Sequence, residues 1–148
     1  MMTNDLILTA MFEKGKSDAL NFQVRSTLMD GTAMYAEEQL IPTFEAAKNV
    51  ENMIDRPIDF VCITKAGHIV KLLQPYDSDI YTAEPEDLPA QWGFVWSTDP
   101  AKARPFVSIS TSPYMKGDCC IENEKIYRSI LDNNVWAPSN YTEGWKEI

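Results

Sequence analysis

Nine prolines punctuate the chain from residue 42 onward, at 42, 57, 75, 85, 89, 100, 105, 113 and 138. Each fixes φ near −65° and lacks a backbone N–H, so none suits a helix interior or a central strand position. Between them there is room for one packed helix, Thr43 to Met53. The remaining gaps hold short β-like runs at 59–64, 68–74, 93–97, 106–110, 118–122 and 125–130. Lys65-Ala66-Gly67 and Asn123-Glu124 sit where hairpin turns belong. Ahead of the first proline the pattern is helical. Leu6, Ala10, Phe12, Leu20, Val24 and Leu28 recur at helical intervals, interrupted by Lys14-Gly15-Lys16. Ser17-Asp18 reads as the N-cap region of a second short helix, and Asp30-Gly31 as the turn that ends the region. The expected fold is mainly β, a small α+β chain. A short helical N-terminus (1–29) precedes two small hairpin or three-stranded modules (30–98 and 99–148).

The β-runs repeat. A shift of fifty-seven residues lays Phe60–Leu73 over Gly117–Ile130. A proline-containing loop and a tryptophan follow each hairpin: Pro89-Ala90-Gln91-Trp92 after the first, Gly144-Trp145 after the second. Modules of about fifty residues are marginal alone, so each is expected to lean on a neighbour.

Charge and composition narrow the function. The net charge is −9, which suits neither phosphate backbones nor anionic membrane surfaces, so no nucleic-acid partner is expected. No apolar run approaches the roughly 18 residues of a membrane span. The start, Met-Met-Thr-Asn-Asp, shows no secretory signal, so synthesis and folding in a cytoplasm are expected. Cys62, Cys119 and Cys120 lack C-x-x-C spacing and read as small buried hydrophobes. His68 follows Gly67 at a hairpin turn and is expected to be exposed, so neither a metal nor a cofactor is expected. The acidic groups Glu37-Glu38, Asp77/Asp79 and Glu84/Glu86-Asp87 resemble paired carboxylates, but in so acidic a chain they read as solvated surface. No serine sits in a G-x-S-x-G elbow. The expectation is a binding or assembly protein, not an enzyme.

The last thirty-five residues carry aromatics at fixed points: Tyr114, Tyr127, Trp136, Tyr141 and Trp145. Their order resembles the small chitin-binding carbohydrate modules of families five and twelve, with Tyr114, Gly117, Asp118, Ile121, Tyr127, Asn133, Trp136, Pro138, Trp145 and Ile148 on the pattern's positions. A wider set of phrases resembles phage and prophage tail-region proteins that carry such a module. They include Ile41-Pro42-Thr43-Phe44, Leu73-Gln74-Pro75-Tyr76-Asp77 and Leu88-Pro89-Ala90-Gln91-Trp92. The resemblance implies a protein made in a bacterial host cytoplasm and destined for a virion tail. Its partners would be a cell-wall or surface polysaccharide and other tail or fibre proteins.

Sugar rings offer a C–H face that packs on aromatics and a hydroxyl rim that needs fixed polar groups. Tyr127, Trp136 and Tyr141 are the stacking candidates; Asp132, Asn133 and Asn134 are the hydroxyl partners. On its strand Tyr127 is expected to face outward in place of Ile126. Trp92, Trp145 and Tyr114 are expected in the core, because a small module has little else to fill it. For Trp136, in a polar loop beside Pro138, exposure and burial both fit. The first repeat has Arg56-Pro57-Ile58-Asp59 in place of the tyrosine motif and Val70 in place of the hairpin tyrosine, so it reads as scaffold. The rival readings are a structural tail or fibre protein and a fibre assembly factor, both acting through protein contacts. A homo-oligomer would supply avidity.

Overall fold

A computed structural model describes residues 17–148. Leu6, Ala10 and Phe12, read above as helical, lie outside the described residues. Helix α1 covers residues 17–25 and tightens into a 3₁₀ turn at Ser26–Leu28. Its buried face is Phe22 and Ser26, four residues apart. Leu20, Val24 and Leu28 follow the same spacing on the opposite side, where they are 69%, 73% and 93% exposed. The apolar periodicity of the sequence therefore marks the outside of this helix.

Asp30-Gly31, expected to be a closing turn, instead opens helix α2 (Gly31–Ala36). The Asp30 carboxylate accepts from the Ala33 N–H at 2.8 Å, an N-cap. A side chain at Gly31 would place Cβ 2.1 Å from the Trp96 carbonyl oxygen, so only glycine allows this approach. Helix α3 (Phe44–Val50) falls inside the expected span and is capped by Thr43.

Among the described residues run seven strands in two sheets. The first is an antiparallel meander of β1 (Val61–Ile63), β2 (Ile69–Leu72) and β3 (Trp92–Val95). The second orders β4 (Arg104–Pro105), β5 (Cys119–Glu122), β6 (Lys125–Ser129) and β7 (Trp145–Glu147), with β4 parallel to β5 and the rest antiparallel. The run 106–110 forms no strand. Beyond the short β4 only the Phe106 N–H continues the ladder, to the Ile121 carbonyl, and the chain then turns Ile109 into the core.

The two meanders superpose as pairing patterns. Val61↔Lys71 and Cys62↔Val70 in the first match Cys119↔Arg128 and Cys120↔Tyr127 in the second. Leu72↔Trp92 matches Ser129↔Trp145. The offset is fifty-eight before the hairpin turn and fifty-seven after it. The first turn has three residues, Lys65–Gly67, and the second has two, Asn123 and Glu124, both at positive φ (52° and 64°), as a primed turn requires. The uniform shift read from the sequence is thus one residue out along β5. One residue exchanges the two faces of a strand, so Cys120, not Cys119, is the partner of Cys62.

The first sheet is the middle layer. One face, with Val61 and Ile69, packs on Phe22, Met34 and Tyr35. The other, with Cys62, Val70, Leu72 and Phe94, faces Cys120 and Trp145 of the second sheet in one cluster. The two expected modules therefore share a core. Tyr114 joins them: its ring stacks on Trp96 at 4.1 Å between centroids and meets Trp145 edge-on at 5.3 Å. Such ring pairs contribute about 0.5–1.5 kcal/mol each beyond their buried area.

His68 corrects another expectation. Strand alternation turns it inward with Val70 and Leu72, and it is 1% exposed. Its Nδ1 lies 3.0 Å from the Glu86 carboxylate and its Nε2 2.6 Å from the Pro105 carbonyl oxygen, tying the first sheet to β4. Burial acts to raise the Glu86 carboxyl, but hydrogen bonds to His68 and Thr64 outweigh it and hold the group below its ordinary value. Glu37 and Glu38 are ion-paired, Glu37 with Arg25 and Glu38 with Lys102 and Arg104. These carboxylates, read as solvated surface, fasten elements together.

Candidate functional site

The site grows from the loop between β6 and β7. Its organiser is Asn134, which is fully buried. The Asn134 amide donates to Ser129 Oγ (3.1 Å) and the Gly144 carbonyl (3.0 Å), while its Oδ1 accepts from the Trp136 N–H. Its backbone pairs both ways with Tyr114, at 2.9 and 2.8 Å. Every polar group of this residue is spent on folding the loop, so Asn134 is not a hydroxyl partner for a ligand. Asn133, at φ 55°, makes the turn that swings Asn134 inward.

Trp136 is held by its backbone and free in its ring. Its carbonyl accepts from the buried Trp145 indole at 2.8 Å, and the preceding Val135 carbonyl accepts from Ser108 Oγ at 2.7 Å. The residue is 54% exposed. The chain then makes a turn at residues 138–140, pinned by the Ser139 N–H donating to Glu122 Oε1 at 2.8 Å. That turn brings the Tyr141 ring to 5.4 Å from Trp136 at 77°, two walls of a corner. Gly144 makes the seat for the tyrosine, since a Cβ there would lie 2.8 Å from Tyr141 Cδ2. Trp136, Asn140 and Tyr141 line an open pocket of about 350 Å³.

The sequence candidates thus separate. Trp136 and Tyr141 come together. Asp132 and Asn133 are exposed but outside the pocket lining, and Asp132 accepts from the Lys116 N–H. Tyr127, expected to face out, is opposite Cys120 on the inward face and packs against the core. Trp92, Trp145 and Tyr114 are buried. Asn140 was missed. Its signal was local: Pro138-Ser139-Asn140 is turn chemistry between two aromatics.

The corner can do limited chemistry. Its two rings offer apolar faces at a right angle, and Asn140 supplies one amide able to donate and accept. Neither a nucleophile nor an acid–base pair lines it. The thiols lie elsewhere: burial pushes Cys120 up to about 12 and raises Cys62 and Cys119 as well. Among the described residues no group of three or more His, Cys, Asp or Glu side chains is placed to share a metal ion. No helix among them is long and apolar enough to cross a membrane. No family model, curated protein or solved structure matches the chain.

Proposed function

We propose that the protein is a non-catalytic binder of a cell-surface or cell-wall polysaccharide, engaging it through the Trp136–Tyr141 corner. The observation that carries this reading is the contrast within one loop. The backbone of Trp136 is clamped at both its N–H and its carbonyl, while its ring stays open beside a second aromatic. A ligand therefore meets a wall already in place and little ordering entropy is lost on binding. Pyranose C–H faces match such walls, and the Asn140 amide matches a hydroxyl or acetamido group. The phage-tail resemblance of the sequence supports a virion context, with the host surface as the source of the glycan.

The test uses intrinsic fluorescence. Of four tryptophans, Trp92, Trp96 and Trp145 are buried, so Trp136 dominates any response to ligand. Chitin oligomers, peptidoglycan fragments and a broad glycan array are the probes. The expected result is a saturable emission change that Trp136→Ala abolishes with the circular dichroism spectrum retained. Absence of binding across the array overturns the reading.

A further inference from the structure

His68 is the chain's single histidine, and both of its ring nitrogens face oxygen atoms that accept. Nε2 stands 2.6 Å from the Pro105 carbonyl, an atom with no proton to give. Nδ1 stands 3.0 Å from Glu86 Oε1. A neutral imidazole carries one N–H and one lone pair, so it can donate to only one of these two oxygens. Nε2 must donate to the carbonyl. The other contact is then a hydrogen bond in just two ways: Nδ1 carries a second proton, or the Glu86 carboxyl carries it and donates.

The surroundings decide between them. Glu86 also accepts from the Thr64 hydroxyl and from its own backbone N–H. Thr64 is committed to that role, because its oxygen accepts from the His68 backbone N–H at 3.1 Å and its one proton is left for the carboxylate. Three donors thus converge on Glu86, which favours its ionised form. The carboxylate is also 21% exposed and keeps water, while the ring is 1% exposed beneath Phe94 and Trp96, each 5.7 Å away. The nearest other charges leave this balance in place. Arg104, beside Pro105, donates Nε to the Gly67 carbonyl, and its charge is answered by Glu38 at 2.6 Å. Glu84 and Asp87 flank Glu86 on its turn and add negative charge on that side.

We infer that His68 is a buried imidazolium at neutral pH, and that the Glu86–His68–Pro105 chain is a base-sensitive latch holding the turn Pro85–Asp87 on the first sheet. The short bond to the carbonyl retains the Nε2 proton, so the proton lost to solvent at higher pH comes from Nδ1. A lone pair then faces a carboxylate inside the protein, where two acceptors repel and neither is satisfied. The turn is the side that yields. It is a single 3₁₀ turn in the connection between β2 and β3, whereas β4 is fixed by its pairing with β5. The doubly protonated ring contributes stability that disappears as pH rises, the opposite arm to that of Glu86, so the latch is complete only between the two losses.

Imidazole ¹⁵N–¹H NMR of the full chain tests this, since one histidine gives one pair of ring nitrogens. The expected result is two protonated ring nitrogens at neutral pH. As the pH is raised the Nδ1 proton should vanish together with the exchange protection of the Asp87 and Leu88 amides, taken relative to their intrinsic rates. The Leu72 amide, bonded to the Phe60 carbonyl, should keep its protection. In Glu86→Gln, whose amide can donate to a bare Nδ1, the ring should carry one proton at neutral pH and the turn should stay closed as the pH rises. A native ring with one proton at neutral pH overturns the inference, whether the second rests on Glu86 or is absent. Protection of Asp87 and Leu88 that is independent of the ring's charge overturns it equally.

Discussion

In the first meander the turn ahead of the last strand, Pro85–Asp87, points Glu86 inward to His68. In the second the equivalent turn, residues 138–140, leads Tyr141 outward to Trp136. The frames around these turns match closely. Gln91 accepts from the Leu73 N–H where Gly144 accepts from the Ile130 N–H, and a buried tryptophan begins the final strand in both. The inward positions differ. Val70, Leu72 and Phe94 in one frame correspond to Tyr127, Ser129 and Glu147 in the other. The connecting loop is shorter by four residues in the second. A repeated scaffold has thus given one copy to internal fastening and left the other open at its end, and a single turn decides which.

Five substitutions break or sharpen that comparison. The largest effect belongs to the shared element. Trp92→Ala and Trp145→Ala should each cost about 3–5 kcal/mol by denaturant unfolding, because both remove a buried indole from the common core. Trp145→Ala should also abolish ligand-induced fluorescence, since its indole holds the Trp136 carbonyl; loss confined to one meander would refute the single core. Next is Asn134→Ala, which strands the Trp136 N–H and takes one of two donors from the Gly144 carbonyl. About 1–3 kcal/mol should be lost, with weakened glycan binding, measured by unfolding and titration together. Third is Glu86→Gln, peculiar to the first meander. The folded carboxyl titrates below its ordinary 4.5, so its stabilisation is complete above that value and disappears as pH falls through the folded value. The wild-type chain should lose stability in that acid window, and the variant, about 1 kcal/mol weaker at neutral pH, should show a flatter profile. The smallest stability effect belongs to Trp136→Ala, within about 0.5 kcal/mol, because the ring is exposed. A large loss of stability there would make Trp136 a structural residue and end the contrast.

Much of the frame was legible from turn residues and prolines. Hairpin turns at Lys65–Gly67 and Asn123-Glu124, the helix after Thr43 and the two terminal tryptophans all follow local chemistry that tertiary packing leaves in place. The errors share one cause, which is that sidedness depends on distant partners. Leu20, Val24 and Leu28 have helical spacing, but spacing cannot say which side meets a sheet. His68 stands beside a turn, and only the alternation that runs back from Leu72 and Val70 places it inward. Cys120 takes the inward face through the one-residue difference between the turns, and Tyr127 takes it in place of Ile126 because it stands opposite Cys120. In the site, two aromatics were recognisable from their polar surroundings. Asn134 was not, since a buried asparagine that knits a loop and an exposed one that meets a ligand look alike until the bonds of its amide are counted.

The Gln23 amide reaches β1 with the geometry of an extra strand, and the Pro42 carbonyl takes the Ile63 N–H on the same margin. Unguarded, that border would template strand addition from other molecules. One helical glutamine therefore fills the hydrogen-bonding positions that an added strand would take, and its replacement by leucine would leave the Val61 N–H and carbonyl without those partners.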